Sequence, residues 1–384
     1  MKPKDLIFLA LAVAICSGCV GNGGARVSRM AESATSAFPD STLVRMVMAH
    51  MSTEDKVGQL FVIRPEGRNL PDSLEIKDPA YTASLPQPGG YCLFGRNIAD
   101  PVQLRALNTV LARQKYSPLL CVDEEGGRVA RLANNPAFGL PRFHDMGIEA
   151  RDGGAEAVSA AAVTIGSYLA DYGFAVDFAP VADVNTNQLN PIIGTRAFGD
   201  DPHQASEMML AYLHGLQQSG IAGCIKHFPG HGDTKTDTHV GYAESLKTWE
   251  EMVDCEMVSF KAGIAAGVPM IMVAHIAVPQ LDPQRLPSTL SYTVVTEKLR
   301  NELGYDGIII TDALEMEAVK EKYGSGQASL MAFEAGVDIL LMPGDFMQAY
   351  NAVLEAVHSQ KITPERLDSS VYRILLLKRS LGLL

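Results

Sequence analysis

The stretch "KHFPGHGDTKTDTH", residues 226–239, packs three histidines, two aspartates, two lysines and two glycines into one short piece of a 384-residue chain that has nine histidines in all. Metal ligation and proton transfer are the two chemistries such a set could do. His227 and His231 are four apart, the spacing that sets two imidazoles on one face of a metal-binding helix, but Pro229, Gly230 and Gly232 oppose a helix there. Hard cations want clustered carboxylates, and barrel metallohydrolases use two histidines on one strand. Neither grouping occurs, so no metal or other cofactor is expected. Proton transfer fits better. Asp237 and His239 are two apart, so in an extended segment they point the same way. A carboxylate beside an imidazole fixes its tautomer and raises its pKa, which makes a general acid near neutral pH. The plainer alternative is a solvated polar loop.

Other candidates stand where apolar runs end. Asp312 follows "GIIIT", and it could be a reactive carboxylate or a helix N-cap with Glu315 at the third helical position. In "CVDEEGGRVAR" three acids, Asp123, Glu124 and Glu125, precede Arg128 and Arg131; they could offer carboxylates to hydroxyl groups, as sugar sites do, or form a solvated acidic turn. Arg196 in "NPIIGTRAFGDDP" could be a loop cation paired to Asp200 or Asp201. His275, on an apolar run, has the surroundings of a satisfied core histidine.

The elements that must position these residues are eight short apolar runs: "GQLFVI", "YCLF", "LLCVD", "AVDFAPVADV", "IAGCIKHF", "MIMVAHI", "GIIITDAL" and "VDILLMPG". They are continuously apolar rather than alternating, as for strands covered on both faces. Between them lie patterns with apolar residues three and four apart, such as "DPVQLRALNTVLARQ", "GAEAVSAAAVTIGSYLADYG" and "HQASEMMLAYLHGLQQSG". Eight strand–helix alternations predict an α/β fold, a single (β/α)8 TIM-type barrel, with a doubly wound open sheet as the alternative. Barrel chemistry sits at the C-terminal ends of strands. The polar residues there are Asp123, Glu124, Glu125, Asp183, Asn185, Lys226, His227, His275, Asp312 and Asp345. No Gly-rich phosphate loop opens a helix, and no composition break marks a second domain.

A formal net charge of −12 repels phosphate backbones, so no nucleic-acid partner is expected. Lys2 and Lys4 precede an apolar run, Leu6 to Ile15, about half of the roughly 20 residues that span a bilayer. Small residues then lead to Cys19, which resembles a bacterial lipobox except that Cys16 stands where leucine is usual. The expectation is a lipoprotein signal peptide over 1–18, lipidation of Cys19 as a membrane anchor, a flexible tether over 19–42 and a catalytic domain over 43–384. An ordinary signal peptide cut nearby is the alternative, and both export the chain. Without an acidic residue after Cys19, the periplasmic side of the outer membrane is the expected location. Cys92, Cys121 and Cys224 sit in apolar runs and neither they nor Cys255 has CxxC spacing, so no disulfide framework or structural zinc is expected.

Together "VGQLFVI", "GGYCLFGRNI", "VDEEGGRVARL", "NPIIGTRAFGDDP", "KHFPGHGDTKTDTH", "MVAHI", "STLS" and "LGYDGIIITDALEM" resemble glycoside hydrolase family 3, in its β-N-acetylhexosaminidase branch. The resemblance runs from about residue 45 to the C-terminus. It implies a retaining, two-step mechanism without metal on an N-acetylglucosamine-containing glycan, such as peptidoglycan fragments or chito-oligosaccharides. By motif, Asp312 matches the nucleophile and His239, oriented by Asp237, the acid/base. Asp123, Arg131, Arg196, Lys226 and His227 match residues that hold the sugar, and the glycines of the opening stretch would be hinges of the loop carrying His239. Broader family members carry a second α/β domain with a glutamate acid/base; the His-loop would make it unnecessary here. Ala313 and Glu124 depart from the branch pattern and bear on fine specificity. A β-glucosidase or phosphorylase of the same family, or a lipoprotein that binds sugar without turning it over, are the competing readings.

Overall fold

The computed structural model describes residues 40–65, 86–234 and 243–384. The eight apolar runs form β1 (Phe61–Ile63), β2 (Gly90–Leu93), β3 (Leu119–Val122), β4 (Val176–Asp177), β5 (Ala222–Phe228), β6 (Met270–Val273), β7 (Ile308–Thr311) and β8 (Leu340–Leu341). All neighbouring pairs are parallel, in the order β8-β1-β2-β3-β4-β5-β6-β7. A parallel bridge between Ile310 and Ile339 joins the two ends, with Thr311 N–H donating to the Ile339 carbonyl at 3.0 Å. The ring therefore closes, which removes the open doubly wound sheet.

The helices begin where local chemistry starts helices. α3 (Pro101–Leu111), α5 (Pro202–Gln218) and α10 (Pro364–Ser380) each have a proline in the first turn behind a side-chain cap, from Asp100, Asp201 and Thr363. Asp345 caps α9 (Phe346–His358), accepting from Gln348 N at 2.9 Å, which accounts for its place after β8. α4 (Met146–Asp171) breaks at Gly154, φ +63°, the residue at which the helical sequence pattern starts. It packs closely on α5 at Gly215, where a Cβ would lie 2.6 Å from Ala162 Cβ. The remaining described α-helices are α1 (Asp40–Ala49), α2 (Thr53–Gln59), α6 (Trp249–Asp254), α7 (Glu256–Ala265) and α8 (Glu317–Ala335), and Thr293–Glu302 is a π-helical stretch. α1 begins at Asp40, so residues 40–42, expected to end the tether, are helical.

The strands are buried almost throughout, with one continuous apolar core between them and the helix ring. Cys92, Cys121 and Cys224 are buried thiols in that core, and burial pushes all three up. Among the described residues no helix is long and apolar enough to cross a membrane.

Candidate active site

A cavity of about 640 Å³ opens at the C-terminal ends of the strands, and Asp123, Arg131, Arg196, Lys226, His227 and Asp312 all line it. Six residues spread over 190 positions of sequence are thus brought to one place by four strand ends and their loops, where the barrel rule puts chemistry. Asp237 and His239 lie in 235–242, and Cys19 in 1–39, outside the described residues.

The floor of the cavity is a paired charge network. Lys226 Nζ donates to Asp123 Oδ1 at 2.8 Å and lies 2.6 Å from Glu125 Oε1, with 3% of the side chain exposed. Arg131 reaches the other Asp123 oxygen at 3.2 Å. Arg196 grips Glu125 with two bonds, Nε to Oε2 at 2.9 Å and NH2 to Oε1 at 2.8 Å, so its partner is Glu125 and neither Asp200 nor Asp201. Those two are used elsewhere: Asp201 caps α5 and Asp200 accepts from Gln188. Burial works against the charges of Asp123, Glu125, Lys226 and Arg196, and opposite charges outweigh it. Asp123 is held below the usual carboxylate range by Lys226 and Arg131, and Glu125 by Arg196 and Lys226. Lys226 in turn is pushed above the ordinary lysine value by Asp123 and Glu125. All stay ionised at neutral pH. The result is an array of fixed donors and acceptors facing the cavity, as recognition of vicinal hydroxyls requires.

Next to it lies a histidine–aspartate pair within the described residues. Asp183, fully buried, accepts from His227 Nδ1 at 2.7 Å, from His231 N–H at 2.7 Å and, more loosely, from His227 N–H. With Nδ1 committed to Asp183, His227 presents Nε2 to the cavity. His231 is buried, its Nδ1 lies 2.6 Å from Thr234 Oγ1, and burial lowers its pKa. The glycines here are packing residues. A Cβ on Gly232 would lie 1.9 Å from the Val184 carbonyl oxygen, and one on Gly230, φ +126°, would meet the Glu256 side chain at 2.3 Å. At these two positions glycine permits close approach.

Asp312 follows β7 and is not a helix cap: its Oδ1 accepts from the Ala313 N–H at 2.7 Å, and α8 begins only at Glu317, behind Met316. Burial opposes its charge, but the His275 and His227 rings hold the carboxyl below its ordinary range, so it is an anion at neutral pH. His275, buried as expected, braces this turn: Nε2 donates to the Ala313 carbonyl at 2.9 Å and Nδ1 lies 2.5 Å from Thr289 Oγ1. An ionised, half-buried carboxylate facing a cavity of hydroxyl-binding groups can act as a nucleophile towards an electrophilic carbon.

Three residues named only as strand-end candidates in the sequence prove to be supports. Glu125 and Asp183 stand at strand ends, a visible signal, but their partners come from other strands. Glu124 is the third: its carboxylate accepts from the backbone N–H of Arg131, Leu132 and Ala133 at 2.5, 2.9 and 2.8 Å and from the Tyr168 hydroxyl at 2.8 Å. It therefore holds the turn that aims Arg131. On the outer wall Arg64 forks onto Glu315, and the Arg64 and Arg131 guanidinium carbons lie 5.5 and 4.9 Å from the Phe94 ring.

Comparison with known proteins gives a consistent picture. The profile of the glycosyl hydrolase family 3 N terminal domain matches residues 52–377. Beta-hexosaminidase A of Pseudoalteromonas piscicida is 34% identical over 319 residues, 76% of this chain and 53% of that protein. Beta-hexosaminidase of Tolumonas auensis is 36% identical over 260 residues, 67% of this chain and 75% of that one. The solved structure of a glycoside hydrolase family 3 beta-N-acetylglucosaminidase from Paenibacillus sp. superposes with a TM-score of 0.80 at 36% identity, covering 87% of this chain and 63% of that one. The chain thus spans about half the length of the Pseudoalteromonas relative.

Proposed function

From the premise that this chain belongs to glycosyl hydrolase family 3, we propose that it is a retaining, exo-acting β-N-acetylhexosaminidase. It would remove terminal N-acetyl-β-D-glucosaminyl residues from peptidoglycan fragments or chito-oligosaccharides. The observation that carries this reading is the half-buried, ionised Asp312 on the wall of a cavity whose floor is the Asp123–Lys226–Glu125–Arg196 network. The relatives named beta-hexosaminidase support the sugar class.

In this mechanism Asp123, Arg131, Lys226 and His227 bind the hydroxyls of the terminal sugar, and Arg196 acts through Glu125 and toward the N-acetyl group. Asp312 attacks the anomeric carbon while His239, oriented by Asp237, protonates the departing oxygen; His239 then takes a proton from water as the glycosyl–Asp312 ester is hydrolysed. The pairing of network charges with each other keeps them fixed before substrate arrives, which is electrostatic preorganisation. We also propose that residues 1–18 are a signal peptide, that Cys19 carries lipid, and that the enzyme works from the periplasmic face of the outer membrane, a place that suits peptidoglycan fragments as substrate. The test is release of 4-nitrophenol from 4-nitrophenyl N-acetyl-β-D-glucosaminide, with the anomer first formed followed by NMR. β-Product first supports retention. α-Product first, or no release, would overturn the reading, and acceleration by phosphate with sugar phosphate as product would favour the phosphorylase.

A further inference from the structure

Arg131 is tied less firmly by polar contacts than the other cations that face the cavity. Lys226 sits between two carboxylates and Arg196 has a two-pronged grip on Glu125, whereas the Arg131 guanidinium has one long bond, from NH2 to Asp123 Oδ2 at 3.2 Å. Its Nε is buried with no hydrogen-bond partner among the described residues. Glu124 holds the Arg131 backbone N–H, but that fixes the chain and leaves a long, rotamer-rich stem free. What lies against the guanidinium is a ring, with the Phe94 centroid 4.9 Å from its carbon. The ring is itself well placed. Phe94 N–H donates to Asn97 Oδ1 at 3.0 Å, and the fully buried Asn97 donates from Nδ2 to the Pro65 carbonyl at 2.8 Å, which joins the ends of β1 and β2. Arg64, the residue before Pro65, brings its own guanidinium carbon to 5.5 Å from the same centroid while it forks onto Glu315.

We infer that Phe94 is a positioning residue for sugar binding, which holds the Arg131 guanidinium beside Asp123 through the face of its ring. The inference rests on the reading of Arg131 and Asp123 as residues that hold the sugar. A phenyl face carries the negative lobe of the ring quadrupole, so it attracts a guanidinium without taking up its N–H groups. A carboxylate in that place would attract more strongly, but it would draw those N–H groups away from Asp123 and from substrate hydroxyls. An aliphatic side chain would fill the space and offer no charge. The ring therefore limits where the cation sits and leaves its donors to the cavity. Phe94 also lines that cavity, so its role through Arg131 has to be separated from direct contact with the sugar.

The test reads kcat/KM on 4-nitrophenyl N-acetyl-β-D-glucosaminide. Phe94→Leu should lose roughly tenfold. If the ring acts through Arg131, the losses do not multiply: in the Arg131→Ala background Phe94→Leu should cost under about twofold more. A further loss of about tenfold in that background would mean that the ring touches the sugar itself, and would overturn the positioning role. Mono-, di- and pentafluorinated phenylalanine at position 94 keep the ring and its packing while draining charge from its face. Activity should fall stepwise along that series, and a flat response, with the ring serving only as bulk, would also overturn the inference. Arg131→Ala alone separates the two layers. No loss there overturns Arg131 as a sugar-binding residue, whereas a loss there with none in Phe94→Leu overturns the role of Phe94 and leaves that of Arg131 standing.

Discussion

The mouth and the floor of this barrel bury lysine on opposite terms. At the mouth Lys226 lies between Asp123 and Glu125, and their charges outweigh desolvation, so the ammonium is more firmly protonated than in water. At the floor Lys378, on α10, is fully buried with its Nζ donating to Gln59 Oε1 at 2.7 Å and no carboxylate in contact among the described residues; burial pushes its pKa down to about 7. The same side chain is a fixed charge facing a cavity in one place and a packing group whose charge burial weakens in the other. What separates a site from a core here is the company of opposite charge beside empty space, and burial by itself says nothing.

The sharpest way to break the comparison is at the mouth's reacting group. Asp312→Asn should lower kcat on the order of 10⁴-fold with the melting temperature nearly kept, since the carboxamide can still accept from Ala313 N–H. Lys226→Met and Lys378→Met come next and should differ in sign. Lys226→Met leaves Asp123 and Glu125 facing each other without their shared cation and should cost about 3–5 kcal/mol in urea unfolding. Lys378→Met should be neutral or stabilising at pH 7. Its pH dependence follows from a folded pKa near 7 against about 10.4 unfolded. Between those values the unfolded chain holds a proton that the folded chain does not, so the wild-type penalty grows as pH falls from 10.4 to 7 and is constant below. The advantage of Lys378→Met should therefore be largest at neutral pH and vanish towards pH 10.

Smaller effects sharpen the mouth further. Asp123 and Glu125 have folded pKa values below their unfolded ones, so their contribution is present above about pH 4.5 and is lost as pH falls through the folded values. Removing the Glu125 partner with Arg196→Leu should raise the acid-unfolding midpoint by roughly half a pH unit, read by circular dichroism. Least affected should be Arg64→Ala. Its pair with Glu315 is partly exposed and worth under about 1 kcal/mol, so the urea midpoint should barely move.

The fold was legible because every strand is a continuously apolar run and three helices announce their starts with a cap and a proline. The site was legible at the level of strand ends: Asp123, Lys226, His227 and Asp312 fall where the barrel rule looks. Pairing was not. Lys226 in "GCIKHF" and Lys378 in "ILLLKRS" are indistinguishable as lysines in apolar stretches, and only the closed sheet brings carboxylates to one and a glutamine to the other. The plainer alternative for Arg196, a loop cation paired to Asp200 or Asp201, looks to neighbours close in sequence, whereas its partner Glu125 is 71 residues away. The motif glycines illustrate the same limit, because the need for Gly232 comes from Val184, on a different loop.

The most direct test of Asp312 as nucleophile is covalent capture. Incubation with a slowly turned-over fluorinated N-acetylglucosaminyl fluoride, followed by proteolysis and mass spectrometry, should give one sugar adduct on the peptide containing "GIIITDALEM", localised to Asp312. An adduct on another carboxylate such as Asp123 or Glu317, or an enzyme that turns over aryl substrate yet never forms an adduct, would contradict it.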